Sequence, residues 1–238
     1  MIRGVIFDFN GTMLLDNEVQ EESWIAYLSE LLQRKISNEE YRTHIYGKIN
    51  KEVFEHFLMR ELTKDEIAHF SDGKEITYLN LLKEKQIPLS AGLPEFLNYL
   101  KANHVRMGVA TSAPWLVVSM LYDYYSLDRW MPMECFIYDD GTRRGKPEPD
   151  LYLEALDRLQ LKAEECICFE DSDNGILSAD RAGMQKVIVM DPYGQKGRSY
   201  SVGGKEHMVF RDFQQFTEAG VCVVNSDYDI ILKVMQNE

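Results

Sequence analysis

The sequence predicts an α/β fold: a doubly wound parallel sheet with an inserted helical domain. Short apolar runs alternate along the chain with amphipathic segments. These runs show no strict apolar–polar alternation, which is typical of strands covered by helices on both faces. A second observation concerns the stretch from about Asp16 to Pro88, which lacks β-branched runs and has a helical pattern throughout. It is too long to be a loop between two strands, and an inserted helical domain accounts for it.

Four apolar runs are the predicted strands, and each is followed by polar residues. The runs are residues 4–7, 105–110, 166–169 and 186–190, followed by Asp8, by Thr111 and Ser112, by Glu170 and Asp171, and by Asp191. In open α/β sheets, ligands bind at the carboxyl ends of the strands. We therefore expect these polar residues to lie at one edge of the sheet.

The predicted helical insert places apolar residues at a spacing of three and four. Trp24, Tyr27, Leu28, Leu31 and Leu32 follow this spacing, as do Val53, Phe54, Phe57 and Leu58. The chain is predicted to enter the insert near residues 15–16 and to leave it near 87–89, where proline disfavours helix. This predicts a core domain of residues 1–15 and 89–238 and a helical domain of residues 16–88. After Gly220 we expect a short apolar run, residues 221–224, and then a terminal helix.

Composition excludes several classes of protein. The 238 residues include 45% apolar residues and carry a net charge of −13. This apolar content supplies a buried core and argues against disorder. A charge of this sign repels nucleic-acid phosphates and anionic lipid, so neither partner is expected. With no signal peptide and no membrane-spanning run in the sequence, we expect a cytoplasmic protein.

The four cysteines do not form a metal or disulfide pattern. Cys135, Cys166, Cys168 and Cys222 include no C-x-x-C pair. Cys166 and Cys168 lie within an apolar run, which predicts reduced thiols in a core strand. The five histidines likewise form no close pair at metal-ligand spacing.

Three polar segments carry chemistry. Residues 7–12, Phe-Asp-Phe-Asn-Gly-Thr, place a carboxylate at a strand end before a glycine turn whose amides could cradle an oxyanion. Residues 145–150, Gly-Lys-Pro-Glu-Pro-Asp, hold a lysine beside two prolines that stiffen the loop. Residues 170–172, Glu-Asp-Ser, supply adjacent acids after another strand.

With Thr111 and Ser112, these segments resemble, in order, the four motifs of the haloacid dehalogenase superfamily of phosphohydrolases. The resemblance extends to about residue 215. It is greatest for the branch with a helical (C1) cap inserted after the first strand, which includes enzymes similar to β-phosphoglucomutase and phosphoglycolate phosphatase. Each motif alone is weak, but all four in order, at strand ends and around a helical insert, form a specific pattern.

The resemblance implies a catalytic role for three residues. Asp8 would attack phosphorus to form an aspartyl-phosphate, which divides one difficult displacement into two steps. Thr111, expected at a helix start, would donate hydrogen bonds to the transferring phosphoryl group. Lys146 would neutralise charge on the phosphate and the nucleophile.

The resemblance also implies a Mg²⁺ cofactor, which takes hard oxygen ligands. The implied ligands are the carboxylates of Asp8 and Asp171 and the backbone carbonyl of Asn10. Glu170 would lie beside the ion, either as a direct ligand or through a water molecule.

Substrate contacts are expected from both domains. Thr12 and Ser112 are the core candidates, while Lys48, beside Gly47, is the first candidate in the cap, followed by Lys74. The expected partner is a small phosphorylated metabolite, a sugar phosphate above all, and the family pattern favours a monomer. We expect the cap to close over the site by hinging at its two linkers.

Asn10 departs from the family pattern. Phosphatases and mutases of the family usually have aspartate here, working as general acid and base, whereas a carboxamide does not titrate usefully. Three functions stay open: a phosphatase that is slow, restricted to good leaving groups or supplied with another proton donor; a sugar phosphomutase similar to β-phosphoglucomutase; and a non-catalytic protein that senses phosphorylated ligands. Asn10 counts heavily against the mutase.

Two other activities of the family are disfavoured by particular residues. Haloacid dehalogenases work without a metal, whereas the adjacent acids Glu170 and Asp171 suit Mg²⁺. Phosphonoacetaldehyde hydrolases use a cap lysine as a Schiff base, for which Lys48 and Lys51 are candidates. The residues around these lysines do not reproduce the cap motif of that branch.

Overall fold

The structure is a computed structural model. It describes residues 2–46, 48–197 and 199–219, together with the backbone of residues 222–224 and 230–232. The chain divides into two compact units. Met1–Leu15 and Pro88–Glu238 form the core unit, and Asp16–Ile87 form the helical unit. That the helical unit acts as a cap stays a prediction.

Seven strands of the core unit form one mostly parallel sheet, which confirms the predicted fold class. In chain order the strands are β1 (Gly4–Phe7), β2 (Arg106–Pro114), β3 (Phe136–Asp139), β4 (Cys166–Glu170), β5 (Val187–Met190), β6 (Ser199–Val202) and β7 (Lys205–Phe210). Their spatial order is β3-β2-β1-β4-β5-β7-β6. Only β6 pairs antiparallel, with β7. Two further strands, β8 (Cys222–Val224) and β9 (Ile230–Leu232), form a separate antiparallel pair.

Successive residues of the central strands β1 and β4 point to opposite faces of the sheet, as the pleat requires. On one face the rings of Phe7 and Phe169 stack at 5.4 Å between centroids and pack with Phe96 and Phe213. On the other face, Ile6 and Cys168 belong to an apolar cluster that includes residues from two helices. Both faces are therefore covered, which explains why these strands read as unbroken apolar runs.

The described residues of the helical unit form four α-helices. They are α1 (Asn17–Leu32), α2 (Asn38–Glu40), α3 (Asn50–Leu58) and α4 (Lys64–Lys85), with a π-helical turn at Tyr41–Ile45. Capping boxes begin α2 at Ser37 and α4 at Thr63. The apolar residues at helical spacing, among them Trp24, Leu28 and Phe54, form the core of this unit.

In the described part of the core unit, the α-helices are α5 (Leu93–Ala102), α6 (Trp115–Tyr124), α7 (Asp150–Leu159), α8 (Asp173–Arg181) and α9 (Phe213–Glu218). The expected position of Thr111 at a helix start is wrong. Strand β2 continues to Pro114, with an irregular register between Ala110 and Pro114, and α6 begins at Trp115. The residue before a proline disfavours helical angles, which delays the helix by several residues.

The C-terminal prediction is met only in part. Residues 222–224 form a strand, but residues 230–232, expected within a terminal helix, also form a strand. Residues 225–229 and 233–238 lie outside the described part of the chain. Among the described residues, no helix combines the length and the apolar content that crossing a membrane requires.

Candidate active site

The centre of the candidate site is the pair of neighbouring strands β1 and β4. Phe7 lies level with Phe169 in their parallel register, and the amide of Asp8 donates to the carbonyl of Phe169 at 2.9 Å. Asp8 and Glu170 are therefore side by side where the two strands end. Asp8 is 7% exposed and Glu170 is fully buried, so both carboxylates are held largely out of water.

Lys146 joins these two carboxylates. Its Nζ lies 2.5 Å from Oδ1 of Asp8 and 2.6 Å from Oε1 of Glu170. The loop that carries Lys146 is tied to α8, since Ser178 Oγ donates to the carbonyl of Glu148 at 2.6 Å and Arg181 to that of Pro147 at 2.9 Å. The loop that carries Lys146, which is distant in sequence from Asp8, is thus fixed beside it.

Glu170 is saturated by protein donors. Its Oε1 accepts from Lys146 and, at 2.8 Å, from the hydroxyl of Tyr152. Its Oε2 accepts from the amide of Asp171 at 3.0 Å and from the amide and hydroxyl of Ser172 at 3.2 Å each. Five donors fill the acceptor capacity of a carboxylate. Glu170 therefore anchors the surrounding loops.

Asp171 completes a cluster of three carboxylates. Asp8, Glu170 and Asp171 each offer an oxygen within 4.8 Å of the other two. Thr12 is fully buried and its hydroxyl donates to Oδ1 of Asp171 at 3.5 Å. A Cβ on Gly11, whose φ is +80°, would lie 2.2 Å from Oδ2 of Asp171. The first motif thus needs glycine here because Asp171 packs directly against its turn.

The charges of the three-carboxylate cluster favour the binding of a cation. Burial raises the pKa of Asp8 to about 7, with Lys146 acting against the rise and Glu170 adding to it. Burial, and then the charges of Asp8 and Glu170, raises the pKa of Asp171 well above its ordinary value. Burial alone would lower the pKa of Lys146, but the two carboxylates beside it raise that pKa above its ordinary value. The carboxylates of the cluster outnumber the ammonium groups beside them, and a divalent cation would offset the remaining negative charge.

Thr111 lies in the neighbouring strand β2 and is 2% exposed. Its Oγ1 accepts from the amide of Ala113 at 3.1 Å, which leaves the hydroxyl proton for another acceptor. Ser112 is exposed. Trp115, at the start of α6, is 49% exposed and its ring lies 5.1 Å from that of Tyr138.

In the turn after β1, the amides of residues 11–14 are engaged within the turn and do not form the expected oxyanion cradle. The amide of Gly11 donates to the carbonyl of Leu14 at 2.7 Å, and the amides of residues 12–14 donate to that of Phe9. Asn10, half-buried, forms a parallel bridge with Leu14. The turn therefore uses these donors to hold its own shape.

The two lysines expected to contact substrate from the insert lie in the helical unit. Lys48 is exposed, and its contact with substrate stays a prediction. Lys74 is 4% exposed, and its Nζ lies 2.7 Å from Oε1 of Gln20 and 3.1 Å from Oε1 of Glu75. Lys74 is thus a buried cation that is paired with residues of its own unit.

Sequence reasoning missed two residues that contact the site. Tyr152 lies two positions after Asp150 on α7, in an apolar stretch that reads as core. Lys196 lies in the loop after β5, and its Nζ donates to the main-chain carbonyl of Asp171. A lysine in a glycine-rich loop has no distinguishing sequence signal. The one available signal is Asp191, a polar residue at the end of the preceding strand, which predicts that this loop lies at the same edge of the sheet as the site.

Comparison with known proteins identifies the family. Residues 2–183 match the model of the family described as haloacid dehalogenase-like hydrolase. The chain belongs to this hydrolase family. The match spans Asp8, Lys146 and the adjacent acids Glu170 and Asp171, so the resemblance to this family inferred from the sequence is confirmed.

Curated relatives of this haloacid dehalogenase-like hydrolase align over most of its length. It is 28% identical to Protein CbbY of Rhodobacter capsulatus over 197 residues, 81% of this chain and 87% of that protein. It is 26% identical to the Phosphorylated carbohydrates phosphatase of Thermotoga maritima over 190 residues, 78% of this chain and 84% of that protein.

A solved structure of the same family agrees in fold. The crystal structure of a HAD hydrolase, family IA, variant 3, from Entamoeba histolytica superposes with a TM-score of 0.83 at 29% sequence identity. The superposition covers 90% of this chain and 94% of that one.

Proposed function

We propose that this haloacid dehalogenase-like hydrolase is a Mg²⁺-dependent phosphomonoester hydrolase that works through an aspartyl-phosphate on Asp8. The observation that carries the proposal is the buried cluster in which Lys146 bridges Asp8 and Glu170 beside Asp171. Phosphoryl transfer requires a positioned nucleophile and neutralised charge more than any other chemistry. This cluster supplies both.

The residues present fit a Mg²⁺ ion. Hard carboxylate oxygens converge within 4.8 Å, and their negative charge favours a divalent cation. Because five donors saturate Glu170, we assign the direct carboxylate ligands to Asp8 and Asp171, with the carbonyl of Asn10 as the third. When bound, the ion would neutralise charge on the transferring phosphoryl group.

The chain's own residues account for the first step. A carboxylate oxygen of Asp8 forms a bond to phosphorus while the bond from phosphorus to the leaving oxygen breaks. The ammonium of Lys146 stays protonated, since its pKa is raised, and offsets the charge of the nucleophile. The Thr111 hydroxyl, which accepts from Ala113, donates to a phosphoryl oxygen.

Asn10 limits both steps, because the leaving oxygen needs a proton and the attacking water must lose one. A carboxamide performs neither task, and general acid–base catalysis is worth about 10²–10⁴-fold in rate. We therefore propose an enzyme that is slow on ordinary esters, acts best on substrates with good leaving groups, or takes a proton donor from elsewhere in the chain.

The proposed substrate is a small phosphorylated metabolite, with a sugar phosphate first. The relative from Thermotoga maritima is named for phosphorylated carbohydrates, which supports this class. A mutase must move protons on and off sugar hydroxyls, so Asn10 disfavours that alternative. Asn10 is also the observation that favours a second candidate, a protein that binds phosphorylated ligands without turning them over.

A Schiff-base mechanism through Lys51 is disfavoured by the structure. Lys51 lies exposed in the helical unit with its Nζ 2.6 Å from Oε2 of Glu55. The hydrogen bond to Glu55 raises the pKa of Lys51, whereas an amine nucleophile needs a lowered pKa. Lys48 is the other candidate, and borohydride trapping with substrate would test it.

Steady-state hydrolysis tests the proposal. Wild type and Asp8→Asn would be assayed on p-nitrophenyl phosphate and on a panel of sugar phosphates, with Mg²⁺ and with EDTA. We expect Mg²⁺-dependent turnover by wild type, loss of activity in EDTA, and no activity in Asp8→Asn. If the protein binds sugar phosphates but hydrolyses none of the esters, the proposed hydrolase function is wrong and the non-catalytic sensor function is favoured.

A further inference from the structure

The loop between β5 and β6 has a role that the catalytic motifs do not explain. Its described residues are 191–197, and it begins at Asp191, which is 5% exposed at the end of β5. The amide of Asp191 donates to the carbonyl of Phe210 at 2.7 Å. Its Oδ2 accepts from the amide of Lys196 at 2.6 Å, and its carbonyl accepts from Gly194 at 3.2 Å. A buried carboxylate thus folds the loop back upon itself.

The folded loop delivers the side chain of Lys196 to Asp171. The ammonium donates to the main-chain carbonyl of Asp171, at the junction between β4 and α8. It also lies 4.9 Å from the ring centroid of Tyr200, a cation–π distance. The hydroxyl of Tyr200 donates to Asp173 in the first turn of α8 at 3.0 Å. Lys196 is therefore fixed at its backbone and, through two contacts, at its charged end.

We propose that Lys196 is a positioning residue that orients Asp171 for metal binding, and that Asp191 positions Lys196. The inference rests on the proposed function, since it requires Asp171 to be a metal ligand. The hydrogen bond to the carbonyl of Asp171 fixes the peptide that carries the ligand, while the amide of Asp171 is fixed by Glu170 at 3.0 Å. Both ends of this residue are then held before an ion arrives.

Two physical effects of Lys196 oppose each other, which makes the proposal testable. Loss of the hydrogen bond would let the Asp171 loop move and weaken metal binding; partners of metal ligands typically contribute about 10–100-fold in affinity. Loss of the positive charge alone would remove a repulsion and strengthen metal binding. The sign of the change therefore separates positioning from a pure charge effect.

The test is Mn²⁺ binding to the full-length protein, with Mn²⁺ as a paramagnetic substitute for Mg²⁺ and the free ion measured by electron paramagnetic resonance. We expect Lys196→Met to raise the Kd about tenfold or more and Lys196→Arg, which keeps a charged donor, to retain most of the affinity. Lys205→Met is the matched control, because Lys205 pairs with Asp180 at 2.9 Å outside the site. It should leave the Kd unchanged.

A second variant covers the case in which Lys196→Met folds poorly. Asp191→Asn weakens the acceptor for the amide of Lys196 and should raise the Kd in the same direction. Unchanged or tighter Mn²⁺ binding in a folded Lys196→Met protein would overturn the inference alone. Failure of wild type to bind Mn²⁺, or wild-type binding by Asp171→Asn, would overturn the proposed metal site instead.

Discussion

At the residue scale, removing the hydroxyl of Tyr152 tests whether this group holds the carboxylate of Glu170 in place. It donates to Oε1 of Glu170 at 2.8 Å in a fully buried setting. Hydrogen bonds to charged groups contribute about 1.5–3 kcal/mol, more than neutral ones. We expect Tyr152→Phe to lower the free energy of unfolding by an amount in this range and to lower kcat, as measured by denaturant unfolding and steady-state assay.

Tyr122→Phe is the control for that prediction. The hydroxyl of Tyr122 donates to the neutral carbonyl of Met131 at 2.9 Å, so its loss should cost about 0.5–1.5 kcal/mol of stability and leave kcat unchanged. Equal losses of stability in the two variants, with wild-type kcat in both, would show that Tyr152 does not hold Glu170.

The raised pKa of Asp8 predicts how pH governs metal binding. Because that pKa is about 7 without a cation, against about 3.9 unfolded, a protonated Asp8 stabilises the metal-free protein. This stabilisation is fully present below about pH 4 and is lost as pH rises through about 7. Mg²⁺ needs the carboxylate, so its affinity rises over the same range.

We therefore expect Mg²⁺ to raise Tm more at about pH 8 than at about pH 5.5, which thermal melting would measure. Asp171→Asn, lacking one ligand, should show little rise at either pH. An equal rise in wild type at both pH values would mean that Asp8 does not release a proton when the metal binds.

Sequence identifies the charged residues of the site but not the partners that hold them. Asp8 and Asp171 fall in motifs at strand ends and Lys146 in the motif of the loop before α7, and each has a type that phosphoryl chemistry needs. Tyr152 and Lys196 act through contacts made only in the folded chain: a phenol that reaches across to β4, and a loop folded by Asp191. Residue type and spacing carry no information about such contacts.

At the scale of elements, the packing of α8 against the end of β4 depends on Gly175. A Cβ there would lie 1.8 Å from Oε1 of Glu170, so alanine must displace the carboxylate or the helix. We expect Gly175→Ala to lower the free energy of unfolding by about 1–3 kcal/mol and to reduce activity. Denaturant unfolding and the hydrolysis assay measure the two effects.

The control for this variant is Asn174→Ala, an exposed position on the same helix. It should change stability little. In an open helix position, replacing glycine by alanine stabilises by about 0.5–1 kcal/mol. A more stable Gly175→Ala protein would therefore show that α8 does not pack closely on Glu170.

The strands and helices were predictable from the sequence where a single local pattern, such as a buried apolar run, determines the element. Strands β1, β4 and β5 are buried apolar runs and follow from the sequence within a residue or two. Strand β3, four residues long at the edge of the sheet, also begins with a short apolar run, Phe-Ile-Tyr, and was missed. The β6–β7 hairpin was missed although Gly203 and Gly204 mark its turn, because its strands are mostly polar.

At the scale of the whole molecule, closure of the helical unit stays a prediction. If substrate and Mg²⁺ draw the cap closed, they should slow hydrogen exchange across residues 16–88. The experiment compares hydrogen exchange in the free protein with exchange in the protein bound to Mg²⁺ and a phosphate analogue. The Asp8→Asn variant with Mg²⁺ alone serves as the reference sample. Unchanged exchange in this segment, with protection confined to the core unit, would count against closure.

For the whole enzyme, we expect an intact nucleophile at Asp8 and the absence of the usual proton donor at residue 10. p-Nitrophenolate leaves without being protonated, so the first step on p-nitrophenyl phosphate does not need an acid at residue 10. The second step still needs a base to activate water. The aspartyl-phosphate on Asp8 should therefore accumulate in wild type and be discharged faster in Asn10→Asp.

Pre-steady-state hydrolysis of p-nitrophenyl phosphate with Mg²⁺ measures this directly. We predict a burst of p-nitrophenolate close to one equivalent of enzyme, a phosphoryl group on the Asp8 peptide by mass spectrometry, and a slow steady rate. Asn10→Asp should raise the steady rate by up to about 10²–10⁴-fold, and Asp8→Asn should give no burst. Turnover by wild type with no burst and no phosphoryl group on Asp8 would contradict the account.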